Sequence, residues 1–231
     1  MGSNRPILSP PLLRIIADVL AALVAAGIVL APPLGAAPLP TVLFLGTSLT
    51  AGLGLDPSQA YPALIEARIE AAGLPYRVVN AGVSGETSAG ARRRIDWLMR
   101  QKIAVLVVET GANDGLRAQD PRATRENIQA IFDRARQQSP PPKLVLVGMR
   151  ALPNYGREYA ERFRALYPEL AEANRATLVP FLLEGVAGVP RLNQDDGVHP
   201  TAEGHKILAE TVWKALAPLL GGAEPVAKGR S

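Results

Sequence analysis

From Thr41 onward, short unbroken apolar runs alternate with longer stretches in which apolar residues recur every three or four positions. The first pattern reads as buried strand and the second as amphipathic helix. Strands are predicted at Thr41–Leu45, Tyr76–Asn80, Ile103–Glu109, Lys143–Gly148 and Thr177–Phe181, with Ile103–Glu109 the strongest. Helices are predicted at 59–72 (Tyr61, Leu64, Ile65, Ile69, closed by Gly73), Thr87–Arg100, near 123–138, 156–174 and Thr201–Leu219. Fully apolar strands alternating with helices predict a parallel sheet covered on both faces. In such folds the site lies beyond the carboxyl ends of the strands. Residues Ser48, Gly85 and Asn113 follow the first three strands, and Asp196–His199 precedes the last helix, so all fall on that edge.

The first forty residues follow another pattern. Arg5 and Arg14 precede the apolar run Val19–Ala31, and Pro32, Pro33 and Gly35–Ala37 follow it. A cationic start, a short apolar core and a small-residue exit predict a secretory signal over residues 1–37. The mature protein is then expected to be periplasmic or secreted, without a stable membrane span. The run is shorter than the ~20 residues of a comfortable transmembrane helix. Asp18 before the run and Pro38 after the expected cut weaken this pattern and leave an uncleaved inner-membrane anchor, then a buried extra helix, as the alternatives. Gly221–Ser231 is rich in Gly, Pro and charge and predicts a disordered tail, which leaves 38–220 as the one folded domain.

Composition removes several classes of function. The chain has no cysteine, which excludes thiol catalysis, Cys-based metal sites and disulfides. The net charge of +4 is mildly basic, and arginine supplies 20 of the 25 cations, spread along the chain. Arg92-Arg93-Arg94 lacks aromatic interleaving and reads as a solvated helix face, so nucleic acid is not an expected partner. No histidine or carboxylate spacing matches a metal site, and no cofactor is expected.

The chemistry-bearing residues are few. Ser48 lies in Gly46-Thr47-Ser48-Leu49-Thr50-Ala51-Gly52, which is not the Gly-x-Ser-x-Gly elbow because position 50 is threonine. A serine nucleophile needs a neutral imidazole to take its proton, and that imidazole needs an acceptor on its other nitrogen. The chain has only two histidines. His199 follows Asp196 by three residues on a tight turn, so one loop offers base and orienter; Asp195 is the second choice as orienter. His205 falls inside the last helix and reads as structural or solvated. At a strand exit, Ser48 reads as nucleophile with its own N–H facing an anion, or as a helix cap. Gly85 reads as an oxyanion donor through its backbone or as a plain turn. Asn113 reads as a side-chain oxyanion donor or as a loop residue holding its turn.

These residues carry a family resemblance. Gly46-Thr-Ser-Leu, Gly85, Gly111-x-Asn-Asp and Asp196-x-x-His199 resemble, in order, the four blocks of the SGNH (GDSL) hydrolases over Thr41 to Leu220. Asn80-Ala-x-x-Ser-Gly-x-Thr87, Gly111-x-Asn-Asp-Gly-Leu-Arg117, Pro153-Asn-Tyr-Gly-Arg157 and Gln194-Asp-Asp-Gly-x-His-Pro200 are similar to the bacterial periplasmic acyl thioesterase/lysophospholipase/arylesterase branch. The resemblance implies a three-layer α/β/α sandwich with a five-stranded parallel flavodoxin-like sheet. It implies a Ser48–His199–Asp196 triad, an oxyanion hole from Ser48, Gly85 and Asn113, no cofactor and no metal, and a monomer. Acyl esters or thioesters are the implied small-molecule substrates, with Leu116, Leu152, Tyr155 and Val198 expected to line their site. A carbohydrate O-acetyl esterase and a catalytically silent binding protein are the competing readings. The family's Asp before the serine is Thr47 here, which implies looser ordering around the nucleophile and a tuned rate.

Overall fold

Val42–Leu45 is wholly buried because the strand it forms is an interior one, with a neighbour on either side in the sheet. In this computed structural model, which describes residues 38–221, five strands form: β1 (Thr41–Gly46), β2 (Arg77–Gly82), β3 (Ile103–Glu109), β4 (Lys143–Val147) and β5 (Thr177–Val179). The signal expected over 1–37 and the tail beyond Gly221 lie outside the described residues. All four strand pairings are parallel, in the order β2-β1-β3-β4-β5.

The helices are α1 (Ser48–Ala51), α2 (Tyr61–Ala71), α3 (Ser88–Leu98), α4 (Ala112–Leu116), α5 (Pro121–Arg136), α6 (Arg157–Asn174) and α7 (Ala202–Leu220). Their apolar stripes follow the helical period: α5 buries Ile128, Ile131, Phe132 and Ala135, and α6 buries Phe163, Leu166, Tyr167 and Leu170. Helix α2 packs on α7, while α3, α5 and α6 pack in sequence. Right-handed crossovers from β1 to β2 in one direction and onward to β3, β4 and β5 in the other place these two groups on opposite faces. This is the α/β sandwich with a five-stranded parallel sheet expected from the sequence.

β1 and β4 end one residue from the predicted position, and β2 and β5 end two residues from it. β2 begins and ends later than Tyr76–Asn80 because its ladder with β1 continues to Gly46 opposite Gly82. β5 stops at Val179 rather than Phe181, since Pro180 has no N–H to extend a ladder. The strand order reverses between β1 and β3, which opens a crevice at their carboxyl ends. Ser48 enters that crevice after β1, and Asn113 enters it after β3.

Candidate active site

Ser48 is the first residue of α1, a single turn entered directly from β1. Thr47 caps the turn, its Oγ1 accepting the Leu49 N–H at 3.4 Å, and Gly52 ends it in the left-handed region. Ser48 Oγ stands 2.9 Å from His199 Nε2. On the other side of the ring, His199 Nδ1 stands 2.6 Å from Asp196 Oδ2. A proton on Nδ1 shared with that carboxylate leaves Nε2 free to accept the serine hydroxyl. Asp196 also accepts the N–H groups of His199 and Val198 through Oδ1, at 2.9 Å each. Those bonds, the backbone one from His199 foremost, hold its carboxyl well below the usual carboxylate range. It is Asp196, not Asp195, that meets the imidazole.

Gly85 follows β2 with φ +76°, a conformation that favours glycine, and a Cβ there would meet nothing within 4 Å. Its backbone therefore faces the open crevice. Asn113 Nδ2 donates to Glu86 O at 3.0 Å, which fixes the amide plane and leaves the second amide hydrogen available. The neighbouring Asp114, not Asn113, holds the turn. It is buried and accepts from Ser88 N (2.8 Å), Ser88 Oγ (2.5 Å) and Thr124 Oγ1 (3.2 Å), tying α4 to α3 and α5.

Arg94 departs from the solvated face expected of the Arg92–Arg94 run. Arg92 and Arg93 are exposed, but a step of ~100° per residue turns Arg94 onto the edge of the Ala91–Ile95–Leu98 stripe. Its guanidinium grips both Glu86 carboxylate oxygens and donates to Ala81 O at 2.7 Å and Gly46 O at 3.3 Å. Residue 86 is thus clamped by its side chain while its carbonyl holds Asn113. His205 is buried, and its Nδ1 accepts the Tyr61 N–H at 3.1 Å, supplying the partner that the uncapped start of α2 lacks. This is the structural alternative of the two expected for it.

A cleft of about 650 Å³ is lined by Ser48, Gly85, Asn113 and His199, together with Leu116, Leu152 and Val198. Tyr155, expected in this lining, stands outside it. The short turn Pro153–Tyr155 directs its hydroxyl to Leu116 O at 2.8 Å, so it props α4 and makes no wall. Leu49, Leu53, Met149, Arg150, Phe181 and Leu183 also line the cleft and were not singled out in the sequence. Their position just past β1, β4 and β5 is the signal that marks them. Arg150 lies 4.1 Å over the Phe181 ring, which fixes a cation at the wall. Among the described residues, no group of three or more His, Cys, Asp or Glu is arranged to hold a metal ion, and no helix is long and apolar enough to cross a membrane.

Comparison with known proteins agrees with this layout. Residues 44–207 match the GDSL-like Lipase/Acylhydrolase family. The chain is 43% identical over 181 residues to Esterase TesA of Pseudomonas aeruginosa, covering 78% of this chain and 89% of that protein. It is 37% identical over 181 residues to Thioesterase 1/protease 1/lysophospholipase L1 of Escherichia coli K12, covering 78% and 85% respectively. The crystal structure of TesA superposes with a TM-score of 0.74 at 43% identity, over 78% of this chain and 99% of that one. The chain belongs to the GDSL-like lipase/acylhydrolase family, the SGNH hydrolases, and is a hydrolase enzyme.

Proposed function

We propose that the protein hydrolyses carboxylic esters and thioesters of acyl chains through an acyl-enzyme on Ser48. The observation that carries this is the relay of 2.9 Å from Ser48 Oγ to His199 Nε2 and 2.6 Å from His199 Nδ1 to Asp196. Ser48 Oγ attacks the acyl carbon while its proton passes to Nε2, and the Asp196 anion stabilises the imidazolium. The Ser48 N–H, the Gly85 N–H and Asn113 Nδ2 receive the tetrahedral oxyanion. His199 then protonates the leaving alcohol or thiol. A water molecule, deprotonated by the same nitrogen, releases the acid and restores Ser48.

The apolar walls support an acyl chain as the occupant. The cleft volume lies within the ~300–1,000 Å³ usual for small-molecule sites, and Leu116, Leu152 and Val198 offer side chains with no competing hydrogen-bond groups. The names of the relatives, an esterase and a thioesterase/lysophospholipase, support both oxygen-ester and thioester cleavage. Residues 1–37 act as a secretory signal in this reading, so that a monomer of 38–231 works in the periplasm or outside the cell. Mass spectrometry of the protein from its host tests the signal: an intact Met1 in the mature form refutes cleavage.

Hydrolysis of p-nitrophenyl esters from acetyl to palmitoyl, beside the Ser48→Ala variant, tests the mechanism. Activity that peaks at medium or long chains and disappears in the variant is the expected outcome. Activity confined to acetyl would instead indicate a carbohydrate O-acetyl esterase. Equal rates for the two proteins would remove Ser48 as nucleophile.

A further inference from the structure

Glu109, the last residue of β3, is fully buried and has no place in the relay described above. Its neighbours are donors on the turn that carries Ser48. Oε2 accepts the Thr47 N–H at 2.8 Å, Thr47 Oγ1 at 2.9 Å and Thr50 Oγ1 at 2.8 Å, and Oε1 stands 3.1 Å from Thr47 Oγ1. Thr50 Oγ1 is itself 2.8 Å from the Tyr61 hydroxyl, and because the threonine gives its one proton to Glu109, the tyrosine is the donor of this pair. The carboxylate packs so closely under the exit of β1 that a Cβ at Gly46 would run into it and into Thr50.

The bonds bracket the nucleophile. Thr47 and Thr50 stand on either side of Ser48, and Thr47 Oγ1 both donates to Glu109 and accepts the Leu49 N–H. Anchoring the N–H and the hydroxyl of residue 47 restrains its φ and χ1. The cap bond restrains the peptide between 47 and 48, whose N–H is the oxyanion donor in the reading above. We propose that Glu109 is a positioning residue for the reaction, its carboxylate holding the Thr47–Thr50 turn so that Ser48 presents Oγ to His199 and N–H to the oxyanion. Threonine at position 47 suits this arrangement, since its hydroxyl is a neutral donor to a buried acceptor. The proposal rests on Ser48 being the nucleophile.

An acceptor role has a titration attached to it. Burial pushes the Glu109 carboxyl from 4.5 up to about 7, against the opposing bonds from Thr47 and Thr50. The groups facing it are Tyr61 from α2 and Tyr167 from α6, both held neutral because burial pushes their hydroxyls well up. Asp114 of α4 adds its charge beside Tyr167, His205 of α7 stacks beyond Tyr61, and Arg94 of α3, paired with Glu86, donates to the Gly46 carbonyl on the near side. A proton on Glu109 puts a donor among donors and loosens the turn.

The test compares the full-length protein with Ser48→Ala, Glu109→Leu, Glu109→Gln and the paired Thr47→Val, Thr50→Val variant. kcat and KM for p-nitrophenyl butyrate are measured across pH, per site titrated by a fluorophosphonate in the variants that keep Ser48 and per mole of protein in Ser48→Ala. The leucine variant and the valine pair are expected to lose at least about thirtyfold in kcat with KM within about twofold. Glutamine keeps one acceptor oxygen but brings a donor into the cluster, as the protonated acid does, so it is expected to fall between leucine and wild type, with an acid limb one proton shallower than the wild type's. The valine pair keeps the buried packing, so it decides the matter even where the leucine variant does not fold. A kcat within about threefold of wild type in that pair, beside an inert Ser48→Ala, overturns the role of Glu109 alone. Activity surviving in Ser48→Ala overturns the nucleophile reading and this proposal with it.

Discussion

Replacing His205 with asparagine isolates one buried titration. His205 Nδ1 accepts the Tyr61 N–H, so its proton sits on Nε2, and a second proton would set a donor against a donor. Burial, with a smaller contribution from the charge on His199, lowers its pKa from 6.5 to about 4. The folded value is depressed for a base, so the stabilisation is present above 6.5 and is lost as pH falls through about 4. Between about pH 7.5 and about pH 4.5 this amounts to ~2–3 kcal/mol, most of the full difference at ~1.4 kcal/mol per pKa unit. Glu109 acts in the opposite sense. Its raised pKa gives a contribution that is present below 4.5 and is lost as pH rises through about 7. Over the same interval acidification therefore returns ~3 kcal/mol from Glu109, and the two nearly cancel in the wild type. Asparagine places an amide oxygen near the Nδ1 position and does not titrate. The variant is expected to lose about 1–2 kcal/mol of packing near neutrality. It should then gain ~2–3 kcal/mol relative to wild type on acidification. Urea unfolding at both pH values measures this difference of differences, in which other titrating groups drop out. Equal pH dependence in the two proteins, within about 0.5 kcal/mol, would refute the buried neutral imidazole.

The remaining predictions concern the oxyanion side of the site. Asn113→Ala removes the one side-chain donor and is expected to lower kcat by ~10²–10³, or about 3–4 kcal/mol, with little change in KM. A loss below about tenfold in steady-state ester hydrolysis would take Asn113 out of the oxyanion hole. Arg94→Met strips the nearly buried Glu86 of its ion pair and leaves the Ala81 and Gly46 carbonyls without that donor. It is expected to cost about 3–5 kcal/mol in urea unfolding and to lower kcat as the Glu86 carbonyl releases Asn113. A change under about 1 kcal/mol would show that Arg94 is a surface cation after all.

Local pattern alone determined the alternation of strands and helices, because burial on a sheet and burial on a helix impose different periods on neighbouring residues. The last helix shows how short the range is: Thr201 caps it through a bond to the Gly204 N–H, and both residues can be read in one glance at the chain. The Asp196–His199 turn is equally local, four residues closing on themselves. Tertiary structure decided what lies across the chain. The approach of Ser48 to His199 spans 151 positions, and the grip of Glu109 on Thr47 spans 62. Glu109 stands out in sequence only as a charge closing an apolar strand, and nothing local says which groups it meets. Arg94 and Tyr155 were misread for the same reason, since which way a side chain turns depends on the element it packs against. Whether Arg94 faces water or Glu86 depends on the helix docking that brings α3 beside the turn after β2. Sequence period specifies which face of an element is buried; only the packing of elements specifies the partner that face finds.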